Sequence, residues 1–234
     1  MNLMLFLVCS GLSLVPIHLG SLSAVRQDSQ VPTSRIVVLV EATIPGVDSL
    51  NLVKPVVPAN SDVSGRVVVQ VKVRRNGTAF PLKSQFGSLM LRNLSTQAVK
   101  NSQFVFKKGN QRQTVAGTIS YTFALTEITQ DDLRKMVGRI VAFAGVFSGP
   151  DKIGPYIQSK DERVLIYLVR TKVESEYTWT LDFDRLQGKT MVFWGKLLFS
   201  PAIVPGPQVR LPASGLPAYY YFPQQTTKVL PLQP

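Results

Sequence analysis

The sequence predicts an α+β protein. Residues 66–74 alternate between valines on one side and mostly polar side chains on the other, which is the pattern of a half-buried strand. A turn signal, a segment with helical spacing and a second alternating segment at 114–125 follow. Apolar segments of strand length then recur from 140 to 230, so one predicted helix lies among many predicted strands.

Residues 1–24 are predicted to be a secretory signal peptide. The run from Leu3 to Val25 is uncharged and mostly apolar, and it ends in small residues that suit a signal peptidase. The alternative is an uncleaved membrane anchor, because residues 3–25 are also long enough to span a bilayer. Both interpretations predict an exported protein, periplasmic or extracellular, in which residues 25–51 form a leader with a short strand at 36–40.

The residue types that remain after cleavage exclude several kinds of chemistry. Cys9 and His18 are the only cysteine and histidine, and both lie in the apolar run. A chain cleaved after Ala24 therefore has no thiolate nucleophile, no imidazole base and no Cys/His zinc site. We predict no catalytic residues, no metal and no cofactor.

A carboxylate-dependent hydrolase is the enzymatic alternative, because pairs of acids can act without other groups. The candidate pairs are Asp131-Asp132, Asp161-Glu162, Glu174/Glu176 and Asp182/Asp184. All four pairs lie in polar, turn-like contexts with Lys or Arg nearby, which is typical of solvated surface charge.

Basic residues are concentrated in one part of the chain. Residues 52–125 carry eleven Lys or Arg side chains and a single acid, Asp62, which gives a net charge of +10 out of a chain total of +12. A field of one sign attracts an anionic partner. The basic patch predicted from this segment consists of Arg66, Lys72, Arg74, Arg75, Lys107, Lys108 and Arg112.

The same segment has the clearest order of predicted elements. Asn76-Gly77 directly follows the first strand and predicts a tight hairpin turn to a short partner strand at 78–82, which Pro81 restricts to a sheet edge. Ser88 is a candidate N-cap for a helix that reaches about Asn101. A last strand from Thr114 to Leu125 completes the order strand, strand, helix, strand.

Residues 52–125 resemble the C-terminal domain of TonB and its bacterial relatives. The resemblance rests on P-V-V-P at 55–58, Gly65, the valine-rich strand, the Asn-Gly turn, the helix end at 98–102, Phe104 and G-T-I-S-Y-T-F at 117–123. In that family the domain lies in the periplasm and pairs the edge of its sheet with a short peptide of an outer-membrane receptor. The resemblance therefore implies a docking edge on the last strand, at Thr114, Ala116, Thr118, Ser120 and Thr122.

One departure from the family changes the expected function. An energy transducer needs a long proline-rich rod after its membrane helix, whereas 27 residues separate the apolar run from the domain here. A related domain that is used for binding or scaffolding fits the sequence better than energy transduction does.

Residues 133–234 are predicted to form a second, all-β domain after a boundary at 126–132. Two of its segments look alike, Gly138 to Gly145 and Gly188 to Gly195, each with a base after the first glycine and a phenylalanine at the same step. Glycines inside strands mark sharp bends, which small closed barrels need. The segment therefore resembles an OB-like barrel of five strands. The strand candidates are 140–148, 155–159, 164–169, 190–200 and either 219–222 or 227–230.

The sequence as a whole predicts an exported, non-enzymatic binding or scaffold protein of the bacterial cell envelope, whose partner is an envelope protein or an anionic envelope polymer. The alternative is a nucleic-acid-binding protein that uses the basic strand face and the OB-like barrel. The aromatic residues available to it are Tyr156, Tyr167, Tyr177, Trp179 and Trp194. Aromatic residues in strands more often belong to the core, and export separates a protein from most nucleic acid.

Overall fold

The fold is mostly β, with a few short helices. The computed structural model describes residues 35–58, 61, 63–110, 112–149, 154–159, 164–169, 183–201, 218–223 and 227–232. The predicted signal peptide, Cys9 and His18 lie outside the described residues. The α+β class predicted from the sequence agrees with this content of strands and helices.

The described residues of the first half form six strands and one helix. They are β1 (Ile36–Thr43), β2 (Val47–Asn51), β3 (Gly65–Arg74), β4 (Ala79–Gln85), α1 (Leu89–Asn101), β5 (Gln103–Phe106) and β6 (Thr114–Leu125). Strand β6 lies between β1 and β3, and β4 follows β3 at the end of the sheet, with all of these pairs antiparallel. Strands β2 and β5 form a separate two-stranded sheet.

The inner face of β3 is apolar, as the alternation predicts. The side chains of Val67, Val69, Val71 and Val73 are fully buried, while the residues between them are half-buried or exposed. Helix α1 packs on this face with Leu91, Ser95, Ala98 and Val99. The helix begins after Ser88, whose side chain accepts a hydrogen bond from the Leu91 amide, so the predicted N-cap is confirmed.

The turn between β3 and β4 differs from the predicted two-residue hairpin. Gly77 adopts a φ of +84°, but Asn76 does not have a positive φ. The Asn76 side chain instead accepts hydrogen bonds from the amide and the hydroxyl of Thr78. Glycine is required at position 77 because a Cβ atom there would lie 2.3 Å from the Phe104 carbonyl oxygen, which belongs to β5.

The second half adds seven strands and two short helices among the described residues. They are α2 (Gln130–Met136), β7 (Ile140–Ser148), β8 (Tyr156–Gln158), β9 (Leu165–Val169), α3 (Phe183–Leu186), β10 (Thr190–Lys196), β11 (Leu198–Ser200), β12 (Tyr219–Pro223) and β13 (Lys228–Pro231). The expected five strands become seven because the segment at 190–200 is divided at buried Leu197 and because both C-terminal candidates form strands.

The two look-alike segments are partners in the sheet. They contain β7 and β10, which pair antiparallel so that Phe143 lies directly opposite Phe193. The backbone hydrogen bonds at the ends of the two segments are also equivalent. The Gly138 amide donates to the Leu197 carbonyl, and the Gly188 amide donates to the Phe147 carbonyl. On its other side β7 is followed in the sheet by β8, β9, β12 and β11.

The two halves share one sheet and one core. Strand β6 meets β7 in parallel at Leu125 and Phe143, and the Ser64 hydroxyl donates to the Ala142 carbonyl at 2.5 Å. The predicted boundary at 126–132 contains the start of α2, whose Leu133 and Met136 are buried in the core that both halves form. All described residues belong to one compact unit.

A second, smaller apolar cluster lies on the outer face of the sheet, opposite α1. Ala124 in β6, Ala142 and Ala144 in β7 and Val192 in β10 are buried there. Larger side chains from β1, β10 and the β13 segment pack on them, namely Leu39, Trp194, Leu230 and Leu232. The small alanines thus allow the β1 and β13 segments to cover this part of the outer face.

Candidate binding surfaces

The predicted docking strand is an interior strand of the sheet. Strand β6 pairs with β3 from Thr114 to Phe123 and with β1 from Thr118 to Leu125. The prediction of an open edge is therefore wrong along residues 118–125, because β1 already occupies the hydrogen-bonding position that a partner strand would take. Among the five predicted contact residues, Ser120 and Thr122 are buried and Thr118 is half-buried, while Thr114 and Ala116 are exposed beyond the end of β1.

Six of the seven predicted basic residues gather at one end of the sheet. Lys72 and Arg74 are exposed on the outer face of β3, where Lys72 lies opposite Ala116 and Arg74 lies opposite Thr114 of β6. Arg75, Lys107, Lys108 and Arg112 lie in the adjoining turns, after β3, after β5 and before β6. Lys83 of β4, which was not in the predicted set, lies opposite Gln70 on the same face as Lys72.

Two of these residues have partners. The Arg75 guanidinium donates to the Asn110 carbonyl and lies 5.2 Å from the centre of the Phe106 ring. The Lys107 ammonium is 3.2 Å from the Asp48 carboxylate, in a pair that is more than half exposed on both sides. Such exposed ion pairs contribute only about 0.2–1 kcal/mol to the stability of the fold.

The remaining basic side chains form what we call the open basic surface. It consists of Lys72, Arg74, Lys83, Lys108 and Arg112, all of which are exposed. No described acidic side chain lies within ion-pair distance of any of them. Arg74 lies with its guanidinium 3.9 Å above the centre of the Phe80 ring, an aromatic contact that holds the cation at the surface.

Arg66 does not belong to this surface, although it lies on the same face of β3. Its side chain is only 14% exposed, and its Nη2 atom donates to the Glu41 carboxylate of β1 at 3.1 Å. The guanidinium also lies 5.5 Å from the centre of the Trp194 ring, and the Lys228 ammonium lies 5.9 Å from the same ring. The prediction that Arg66 is exposed is wrong because the Glu41 side chain of β1 and the Trp194 ring cover this end of the strand.

Two polar atoms of this covered site have no hydrogen-bond acceptor in the part of the chain that the structure describes. They are Nε of Arg66 and Nε1 of Trp194, and both are buried. A buried donor without an acceptor costs about 1–3 kcal/mol, and an ordered water can remove that cost.

Two cavities lie at the surface near these residues. The smaller, of about 260 Å³, separates β1 from β13, and we call it the β1–β13 cleft; it is lined by Leu39, Val40, Glu41, Leu230 and Pro231. The larger, of about 470 Å³, lies between β5 and the β3–β4 turn and includes Arg75 and the exposed Leu50 and Val105.

The carboxylates that the structure describes do not form a recognisable catalytic pair. Asp132 is buried, in contrast to the surface position predicted for it, because it completes a capping box with Thr129 and contacts Arg35 at 2.5 Å. Burial alone would raise its pKa, but the hydrogen bonds from Thr129 and the Arg35 cation outweigh burial and hold the pKa below its ordinary value. Asp131 instead pairs with Arg134 on the surface.

The other three predicted carboxylate pairs form no site in the part of the chain that the structure describes. Asp184 is exposed in α3, and the residues 161–162, 174–176 and 182 lie outside the described part of the chain. Within the described ranges, no three metal-binding side chains cluster together.

The aromatic residues proposed for base stacking mostly contact one another. Tyr156 and Tyr167 have ring centres 5.4 Å apart, and Tyr219 is 5.6 Å from Tyr167, with the planes steeply inclined in both pairs. Tyr167 is buried. Tyr177 and Trp179 lie outside the described residues. The Trp194 ring has the cations of Arg66 and Lys228 over it.

The covered site could not be found from the sequence. Arg66 and Trp194 were each notable, one as a base in an alternating strand and the other as a strand aromatic, but no spacing rule connects residues so far apart. Their proximity depends on two long-range contacts. The Ala142 amide of β7 donates to the Ser64 hydroxyl just before β3, and β7 pairs with β10.

Comparisons with protein-family models, with curated proteins and with solved structures found no match. None of the helices among the described residues has the length and apolar character needed to span a bilayer. The proposed function therefore rests on the structure of the chain alone.

Proposed function

We propose that the chain is a non-enzymatic binding protein, exported to the bacterial cell envelope, which binds an acidic segment of an envelope protein through the open basic surface. The observation that carries this proposal is the group of five exposed basic side chains without an acidic neighbour among the described residues. Unpaired charges of one sign on one surface repel one another, and an acidic partner relieves that repulsion.

The surface is suited to a charged, extended partner rather than to a small molecule. Lys72, Arg74 and Lys83 lie along neighbouring strands of a sheet face, while Lys108 and Arg112 extend the surface into the adjoining turns. The face is broad and fully exposed at this end, so each contact is weak and several must act together. Binding of this kind weakens as salt screens the charges.

We propose the finer fold relationships as part of the same account. The order β3, β4, α1 and β6, with β6 placed next to β3, supports a relation to the C-terminal domain of TonB. The curled second half, with Gly145 and Gly195 inside β7 and β10, supports a relation to OB-like barrels with two added strands. In the TonB-like part, charge takes the role that edge pairing has in the family, because β1 covers β6.

The experiment measures binding of fluorescein-labelled polyglutamate to the purified chain. The double variant Lys72→Glu/Arg74→Glu should bind at least about tenfold more weakly than the wild type, because it reverses two central charges of the surface. The matched control is Lys100→Glu/Lys135→Glu, which makes the same change in net charge at exposed positions of α1 and α2. Equal losses in both variants would show that net charge alone drives binding and would remove the open basic surface from the account.

A single-stranded oligonucleotide of the same charge tests the nucleic-acid alternative. A site for acidic protein segments predicts no preference for the oligonucleotide, since the rings that could stack on bases already pack against one another, namely those of Tyr156, Tyr167, Tyr219 and Tyr221. Preference for the oligonucleotide, together with its loss on Tyr219→Ala, would favour the nucleic-acid function instead.

A further inference from the structure

Three large apolar side chains are exposed close together where β4 ends and α1 begins. They are Leu82, Phe86 and Leu89, with exposed fractions of 62%, 66% and 66%, and we call them the exposed apolar patch. Single exposed apolar side chains are common, but a group of them within so short a segment points to an interaction. None of the three lines either of the two cavities described above, so the patch lies on an open surface outside both of them.

Phe86 has a backbone conformation that its residue type disfavours. Its φ is +62°, and among the described residues every other positive φ belongs to a glycine. The Cβ atom makes this left-handed region costly for phenylalanine, whereas glycine adopts it freely. Because the side chain is mostly exposed, packing within the described fold does not repay that cost. Backbone strain of this kind is found preferentially at functional positions.

The turn that carries Phe86 is fixed by its neighbour. Gly87 also has a positive φ, of +67°, so two successive left-handed residues redirect the chain from β4 to α1. A Cβ atom at Gly87 would lie 2.7 Å from Cγ2 of Val67, which is buried in β3. Gly87 thus holds the turn against β3, while Phe86 and Leu89 remain exposed before and after it.

The charges beside the patch favour an anionic partner. Lys83 directly follows Leu82 in β4, and Lys100 lies three turns after Leu89 on the same face of α1; both lysines are exposed. Neither lysine has an ion-pair partner within the described ranges. The sequence has no acid between Asp62 and Glu127. The surface of an anionic bilayer buries apolar side chains and attracts the lysines beside them.

We propose that the exposed apolar patch inserts into the surface of a bilayer that contains anionic lipids. The three apolar side chains enter the boundary between headgroups and acyl chains, while Lys83 and Lys100 lie beside the headgroup phosphates. The apolar side chains are already exposed, so insertion requires no opening of the fold. The patch shares no residue with the open basic surface, and the inference therefore goes beyond the function proposed above.

The test measures co-sedimentation of residues 25–234 with lipid vesicles. This part of the chain contains the whole compact unit and omits all but the last residue of the apolar run at 3–25, which could bind vesicles by itself. The affinity should be at least about fivefold higher for vesicles of phosphatidylglycerol and phosphatidylcholine than for phosphatidylcholine alone, because the lysines contribute only with anionic lipid. Equal affinities for the two kinds of vesicle, or no binding to either, would overturn the proposal.

Phe86→Gly tests the patch with little risk to the fold. It removes the ring, so the affinity for the anionic vesicles should fall by about fivefold or more. The Tm should stay nearly the same, because the relief of strain at a positive φ opposes the greater freedom of glycine in the unfolded chain. The matched control is Leu50→Gln, which is equally exposed but lies beside the β3–β4 turn, at the other end of that hairpin, and should bind like the wild type. Equal losses in the two variants would contradict the assignment to the patch.

Leu89→Gln tests the helical part of the patch, since glutamine suits a helix but does not insert into lipid. Its affinity for the anionic vesicles should fall by about threefold or more, and an unchanged affinity in both Leu89→Gln and Phe86→Gly would overturn the proposal. Polyglutamate binding separates this inference from the proposed function, because Phe86→Gly should leave it unchanged. A wild-type dimer that Phe86→Gly converts into a monomer, without binding to vesicles, would assign the patch to a contact between copies of the chain and would also overturn the proposal.

Discussion

Arg66 and Arg74 are eight residues apart on the same face of the same strand, and the structure gives them opposite environments. Arg66 is covered by Trp194 and paired with Glu41, whereas Arg74 is exposed above Phe80. The alternating pattern of β3 correctly assigns both side chains to the outer face. The pattern does not show which part of that face another strand covers.

The difference arises from strands that are distant in sequence. Strand β1 runs along β6 only from Thr118 to Leu125, and the β13 segment packs over the alanines at the same end. The outer face is therefore divided into a covered end around Arg66 and an open end around Arg74. We infer that only the open end is available to attract an acidic partner, because the chain's own side chains occupy the covered end.

The largest expected effect comes from enlarging an alanine at the covered end. Ala142 is fully buried opposite Trp194, so Ala142→Leu should lower the free energy of unfolding by about 1–3 kcal/mol because the added atoms displace packed side chains. The matched control is Ala116→Leu at the open end, opposite Lys72, which should change stability by less than about 0.5 kcal/mol. Urea denaturation measures the free energy of unfolding of both variants. Similar losses in the two would mean that the covered and open ends are packed alike.

A smaller effect is expected where two neighbouring aspartates show the same contrast. Asp132 is buried against Thr129 and Arg35, and Asp131 is exposed beside Arg134. At pH 7, Asp132→Asn should lower the free energy of unfolding by about 1–2 kcal/mol, since hydrogen bonds to a charged acceptor are lost. Asp131→Asn should leave the free energy of unfolding almost unchanged.

The pH dependence of this effect has a definite sign. Because the folded-state pKa of Asp132 lies below its ordinary value, its ionised form stabilises the fold above about pH 4, the usual pKa of an unfolded aspartate. That contribution is lost as the pH falls through the lower, folded-state pKa. The stability difference between the wild type and Asp132→Asn should therefore narrow below about pH 4, and a difference that stays constant to pH 2 would contradict the assigned pKa direction.

Local features of the first half were predictable because they depend on residues that are near in sequence. The strand at 114–125, the helix after Ser88 and the edge position of the strand with Pro81 all follow from periodicity, capping and the missing amide of proline. The turn at Asn76-Gly77 was located correctly, but its geometry depends on the approach of β5 to Gly77.

The long-range features could not be predicted in the same way. A short apolar segment such as β1 is compatible with many positions in a sheet, so its pairing with β6 was not visible in the sequence. The similarity between the segments at 138–145 and 188–195 was visible, but not that these segments pair with each other. The covered site around Arg66 and Trp194 depends on both of these pairings.

The most direct test of the difference between the two ends is a pair of polyglutamate titrations with matched variants of β3. Arg74→Gln should weaken binding of polyglutamate, because Arg74 lies at the open end. Arg66→Gln removes the same charge but should leave the affinity for polyglutamate unchanged, because Arg66 is paired with Glu41 beside Trp194 at the covered end. Equal losses of affinity in the two variants would show that the face acts as one site and would contradict the account.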